Sequence, residues 1–308
     1  MIDAAAGSPV ADCWPLAAGS REVHGPHRIP PVPTVSILGA GPIGASIAHR
    51  LAQRERVASV RLIDTDAGVA AGKALDIRQA GPVDRVDTPI DSAGDELAAV
   101  SSPVIVIADD SAGRAWDGEQ GLALIRRLVR AGAQATFVFA APSHVWLMER
   151  TYRELGVPAD RLIGSAPSAV VGAVRALAGL ELGVASVSLT VAGRPPSLVV
   201  GWSSATTDGT LLTDRVPAHR LLAISQALPK LWPPASYAIG SATAQLIDAL
   251  AGGTRRRLPA LTIVDGEFGV RGTAVMLPLE IGRGRVLGHV MPSLSAQELT
   301  EMTSGLTS

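Results

Sequence analysis

The chain has 308 residues, 47% hydrophobic content and a formal net charge of −1, enough for two domains and a sizeable core. That balance excludes the basic excess expected of a nucleic-acid binder or of a protein held on an anionic membrane surface, and no apolar run reaches membrane-spanning length. The single cysteine, Cys13, rules out an intrachain disulfide and a cysteine-based zinc cluster, in keeping with a reducing cytoplasm.

Residues 1–33 are rich in Ala, Gly and Pro and read as a loosely ordered tail ending in the stiff Pro30-Pro31-Val32-Pro33. Asp12 and Pro15 interrupt its only apolar stretch, so it makes a poor signal peptide. His24 and His27 have a metal-compatible spacing but no further ligands beside them; they read as solvated, and no metal is expected.

The stretch Thr34–Asp66 organises the rest. An apolar run, Val35 to Leu38, ends in Gly39-Ala40-Gly41-Pro42-Ile43-Gly44, a helix-like segment follows, and a second apolar run stops at Asp64, twenty positions beyond Gly44. Gly39 permits the tight turn out of the strand, Gly41 lets backbone approach a pyrophosphate, and Gly44 lets the helix pack on the sheet. The helix opening at Pro42 and Ile43 would aim free N–H groups and its positive dipole end at phosphates. Asp64 would accept from the adenosine ribose hydroxyls and repel a 2′-phosphate, which favours NAD over NADP.

Further along, Ala67–Gln79 predicts a helix stopped by Gly81-Pro82, and Asp84–Ile90 a short strand. Pro103–Ala108 and Ala135–Ala140 have the continuous apolar character of parallel strands buried on both faces, with a helix over Glu119–Arg130 between them. The β-α-β-α-β alternation implies a doubly wound parallel sheet. Its ligand edge would gather Gly39, Asp64, Ala108-Asp109 and Ala141. The adjacent Asp109 and Asp110 at a strand end could hold a metal or a cationic substrate, but neighbouring carboxylates point different ways and the pair reads as a solvated loop. In the second half, helices are expected over Pro167–Leu180, Pro217–Leu228 and Ser236–Leu250, and a last short one from Ser295. Val184–Val191 and Leu198–Trp202 pair across Gly193-Arg194-Pro195-Pro196, and Leu261–Val264, Thr273–Ile281 and Arg285–Val290 suggest an antiparallel meander. The five tryptophans read as packing residues.

From Val35 nearly to its end the chain resembles the NAD-dependent lactate/malate dehydrogenase family. The matches are SILGAGPIGASIAHRLA, the acid in LIDTD, GKALDIRQAGPV, VIVIAD, DRLIGSAP, SYAIGSATAQLIDAL and VMLPLEIG. The resemblance implies an α/β fold: a Rossmann-like doubly wound parallel sheet (34–143) followed by an α+β lactate/malate dehydrogenase-type C-terminal domain (144–308). It also implies an NAD cofactor, a small-molecule substrate, and a homodimer or homotetramer.

The family's catalytic set is replaced. Family chemistry uses a His that shuttles the hydroxyl proton, an Asp that orients it, and an Arg that grips the substrate carboxylate. Where a Gly-His-Gly-Asp stretch would stand, this sequence has Gly193-Arg194-Pro195-Pro196, and an arginine cannot act as a base near neutrality. The Asp and Arg of the family's Leu-Asp-x-x-Arg helix fall on Val170 and Ala173, leaving only the later Arg175; the family's Asn-Asn-Pro is Ala140-Ala141-Pro142. None of the six histidines follows a Gly-rich turn beside an Asp. Three candidates for new roles remain. His144 could be a displaced acid/base or a helix-start histidine capped by its backbone neighbours. Arg194 could bind an anion or be a charged hairpin residue reaching solvent. Arg114 is a loose match to the family's loop arginine. The expected function is therefore a divergent NAD(H)-binding oxidoreductase with altered substrate or chemistry. The alternative is a noncatalytic NAD-binding or scaffold protein, and ordinary lactate or malate oxidation would need an active site that is not in the sequence.

Overall fold

The computed structural model describes residues 32–183 and 186–306. The tail through residue 31, with Cys13, His24 and His27, and the start of the strand expected at Val184 lie outside the described residues. In the first half, β1 (Val32–Leu38) leads into α1 (Pro42–Arg54), then β2 (Val57–Ile63), α2 (Ala67–Asp84), β3 (Ile90–Ala93), β4 (Val104–Ile107), α3 (Gly118–Arg130), β5 (Thr136–Phe139), α4 (His144–Leu155) and β6 (Leu162–Gly164). In the second half, α5 (Ala166–Leu182), β7 (Ser188–Arg194), β8 (Ser197–Thr207), β9 (Thr210–Leu211), α6 (Ala218–Ala227) and α7 (Ser236–Ala251) precede a meander of β10 (Arg256–Asp265), β11 (Arg271–Gly282) and β12 (Arg285–His289), closed by α8 (Ala296–Ser304).

Six strands in the order β3-β2-β1-β4-β5-β6 are parallel. The parallel part thus runs past the expected boundary at 143, because β6 pairs with β5 in register Phe139↔Gly164. At Leu261↔Gly164 the antiparallel strands join, and the sheet continues as β10-β11-β7-β8-β9 with β12 on β11. Strand alternation divides the core between the two faces. Val104 and Val106 pack with Ile47, Leu51 and α7 on one side. Ile105, Ile107, Phe137 and Phe139 pack with Leu122, Ile125 and Leu147 on the other.

Two local expectations are corrected. Helix α2 does not stop at Gly81-Pro82 but runs to Asp84 with Pro82 inside it. The proline falls in the last turn, where losing one N–H costs a single ladder bond, and Arg85 in the left-handed region closes the helix by donating its N–H to Gly81 O. The strand expected over 84–90 begins only at Ile90. The remaining helices and the meander fall where the pattern placed them; α8 opens on a capping box, with Ser295 accepting from the Glu298 amide while Glu298 accepts from the Ser295 amide. Among the described residues no helix is long and apolar enough to cross a membrane.

Candidate nucleotide cradle and its neighbours

Strand β1 ends at Leu38 beside β4, so the turn Gly39–Gly41 lies against the end of β4. Gly39 has φ +113°, a conformation costly for any other residue. A Cβ there would lie 2.0 Å from the Asp109 carbonyl oxygen, so close approach requires glycine as well. Gly44, in the first turn of α1, sits where a Cβ would come within 1.9 Å of Gly39 O, so glycine lets the helix seat on the turn. Gly39 N donates to Ile63 O at 2.7 Å, tying the turn to the end of β2.

Asp64 follows directly. It is 1% exposed, and its carboxylate accepts from the amides of Ala40, Ser111 and Asp66, each at 2.9 Å. One side chain thereby joins the glycine turn, the end of β2 and the loop after β4. The cavity bounded by Asp64, Leu38, Gly94 and Trp116 is about 10 Å³, the size of one water.

Asp109 was expected in a solvated loop, and that expectation is corrected: it is 4% exposed and turned into the cradle. Its carboxylate accepts from the Ile43 amide at 3.0 and 3.1 Å and from the Gly44 amide at 2.9 Å. These are free N–H groups at the start of α1, where the helix dipole favours an anion. Burial pushes the Asp109 carboxyl above its ordinary range, while the Gly44 and Ile43 amides pull it back down. The Gly41 amide donates to Asp109 O at 3.0 Å, and a Cβ on Gly41 would lie 2.5 Å from Asp109 Cγ. Asp110 takes the other direction: its carboxylate accepts from the Ala112 and Arg114 amides and from Arg114 Nε. Arg114 therefore closes its own loop, with an 81% exposed side chain.

The residues proposed for new chemistry are placed as follows. His144 opens α4 and is 1% exposed. Its Nδ1 accepts from the Ala141 amide at 3.2 Å, so Nε2 keeps the proton and faces the Trp116 backbone without reaching hydrogen-bond geometry among the described residues. Burial drives its pKa down to about 3, which keeps the imidazole neutral at physiological pH. Arg194, at the end of β7, neither binds an open anion site nor reaches freely into solvent. It pairs with Glu149 of α4, through Nε at 3.2 Å and Nη2 at 3.1 Å. Glu149, 3% exposed, also accepts from the Ala274 amide of β11 at 2.9 Å. Val170 is buried, Ala141 is buried, and Arg175 is exposed. No group of three or more His, Cys, Asp or Glu side chains among the described residues is arranged to hold a metal.

Sequence reasoning placed Asp109 on the ligand edge but read it as solvated, and it missed Glu149. Asp109 carried a signal, since it directly follows a buried strand on the edge that holds Gly39. Glu149 carried none, being a mid-helix acid whose partners come from β7 and β11.

Strand, glycine turn, helix, and an acid closing the next parallel strand define a Rossmann-type dinucleotide-binding fold. Residues 34–129 match the family model of the lactate/malate dehydrogenase NAD binding domain. The malate dehydrogenase of Desulforudis audaxviator is 27% identical over 285 residues, covering 86% of this chain and 92% of that protein. That of Roseiflexus castenholzii is 26% identical over 275 residues, covering 82% and 89%. Among solved structures, malate dehydrogenase from Salinibacter ruber superposes with a TM-score of 0.78 at 24% identity, over 88% of this chain and 93% of that one. Minor L-lactate dehydrogenase from Enterococcus mundtii gives 0.77 at 20% identity, over 89% and 95%. Residues 34–129 thus carry the match to that NAD binding domain, and over most of its length the chain is similar to malate dehydrogenases.

NAD is the cofactor this domain implies. The backbone course of Gly39–Gly44 fits a dinucleotide. The space over that turn is filled by the side chain of Asp109, so the fit holds for the turn and requires the segment after β4 to move.

Proposed function

We propose that this protein is a divergent NAD(H)-binding member of the family that does not carry out ordinary 2-hydroxy-acid oxidation. The observation that carries this reading is the Arg194–Glu149 pair. At the position where the resemblance calls for a proton-shuttling histidine, a permanently charged guanidinium is neutralised by a buried carboxylate. Neither partner is left to move a proton or hold a substrate carboxylate. His144, after β5 at the ligand edge, is buried and neutral and holds the turn there, so it supports no displaced acid/base role. Val170 and Ala173 offer no charge to a hydroxy acid.

In this reading Gly39, Gly41, Pro42, Ile43 and Gly44 form the phosphate-facing turn. Asp64 shapes that turn from beneath, and would meet the ribose only if Ser111 released it. Nicotinamide, when bound, supplies hydride chemistry; the residues described here supply binding and orientation. Of the two sequence-level alternatives, burial of His144 and pairing of Arg194 favour the noncatalytic one. A rebuilt enzyme is the second reading, favoured by an open cleft of about 500 Å³ beside the turn, lined by His49, Lys73, Asp76 and Tyr237. Purified protein at high concentration, assayed with lactate, malate, pyruvate and oxaloacetate, tests the loss of the ordinary reaction, which both readings share. No turnover with any of the four is expected, and measurable turnover with one of them overturns the proposal.

A further inference from the structure

We propose that Asp109 is an internal occupant of the phosphate cradle, a carboxylate that holds the Ile43 and Gly44 amides in place of a dinucleotide phosphate, so that NAD(H) enters only when the segment Asp109–Trp116 is displaced. The inference rests on the NAD(H)-binding reading above and says what governs that site.

Three independent features support it. First, the amides at the start of α1 are satisfied: Ile43 N and Gly44 N both end on Asp109 at 2.9–3.1 Å. An incoming phosphate must break charge-assisted hydrogen bonds of the kind it would make. Second, the volume directly over Gly41 is taken, and the open cleft of about 500 Å³ lies to the side of the turn, against Ala40, Gly41 and Pro42. Asp109 Cγ lies 2.5 Å from where a Gly41 Cβ would be, and Asp110 O lies 2.3 Å from it, so the glycine's bare face is covered by the chain itself. The adenosine side is shut as well, with about 10 Å³ left beside Asp64 and Trp116. Third, the segment is tied to the end of β2 at one point and braced within itself. Asp64 accepts from Ser111 N, and Asp110 accepts from Ala112 N, Arg114 N and Arg114 Nε. Asp64 and Asp109 thus place two carboxylates at the edge where a doubly charged pyrophosphate would arrive, while Asp110 is neutralised by Arg114. Repulsion by the first two adds to the cost of entry.

The test is calorimetric titration of the full chain with NADH for wild type, Asp109→Asn and Asp109→Ala, with the fold of each checked by circular dichroism. Asp109→Ala is expected to bind NADH at least about tenfold more tightly than wild type, since it loses both the competing acceptor and a nearby like charge. Asp109→Asn keeps an acceptor oxygen without the charge and is expected to fall between them. It carries the comparison if the alanine variant fails to fold. In the same proteins without nucleotide, NMR-detected hydrogen exchange at the Ile43 and Gly44 amides is expected to quicken in the variants. Equal NADH affinity in all three proteins, or unchanged exchange at both amides, overturns the inference and leaves the NAD(H)-binding reading in place. No NADH binding by any of the three, all folded, overturns both.

Discussion

The glycine cradle and the surroundings of Arg194 each bury a carboxylate, and they use it in different ways. In the cradle the backbone is intact: Gly39 keeps its positive φ, Gly44 keeps its close contact with the turn, and Asp64 closes β2. What differs is occupancy, since Asp109 fills the space over the turn. Around Arg194 the strands are also in place, as β7 and β8 pair up to Arg194↔Ser197, with one register shift between Ser188 and Thr190. There the side chains differ, and the charge is turned inward onto Glu149. A backbone scaffold is held by many ladder bonds and survives changes at single positions. A proton shuttle depends on one imidazole and ends with one substitution.

That contrast can be broken at several points. The largest expected effect concerns His144. Its folded pKa of about 3 is far below the ordinary 6.5 because burial penalises the charged ring. A depressed folded value means the stability it contributes is full above the unfolded pKa and is lost as pH falls from near 6.5 toward 3. Over that window the loss approaches an upper limit on the order of 5 kcal/mol. Urea denaturation between neutral and acid pH should show this slope in wild type and a flatter one in His144→Asn.

Next is Glu149→Ala, which leaves the Arg194 guanidinium half-buried without its partner and the Ala274 amide without its acceptor. Such a removal typically costs about 3–5 kcal/mol. The double variant with Arg194→Ala should recover part of that loss, and a double-mutant cycle by chemical denaturation measures how much. If the pair is merely a surface contact, the single variant will be near neutral. Gly44→Ala should follow, destabilising by about 1–3 kcal/mol, because its methyl must displace Gly39 backbone rather than a flexible side chain. The smallest effect is expected of Arg114→Ala. Its pair with Asp110 is solvent-exposed, so stability should change by less than about 1 kcal/mol. A larger change in thermal unfolding would mean the loop carries more of the cradle than its exposed guanidinium suggests.

Local pattern made the architecture legible. Val35–Leu38, Pro103–Ala108 and Ala135–Ala140 read as buried strands because both their faces are covered by helices, and the spacing from Gly44 to Asp64 follows from one βαβ turn. Pro82 misled because a proline costs a helix one ladder bond and a clash with the preceding turn, and here α2 carries that cost and continues through Val83 and Asp84. The identity of the inward-facing acid was not legible. Asp109 and Asp110 are adjacent and chemically alike, and only the path of the chain past Gly41 turns one toward α1 and the other toward Arg114. Arg194 was ambiguous for the same reason: its partner is 45 positions away and reaches it through tertiary packing. His144 was readable as a helix-start histidine bonded to its neighbours, and its Nδ1 does accept from the Ala141 amide.

The central claim is that a dinucleotide fold persists here without the chemistry of 2-hydroxy acids. The most direct measurement loads the Asp109→Ala protein with NADH and then adds oxaloacetate or pyruvate in excess, following the absorbance of the reduced nicotinamide. With the cradle opened, binding no longer limits the outcome. The account predicts that the absorbance holds steady with either oxo acid, and its decay would contradict the account.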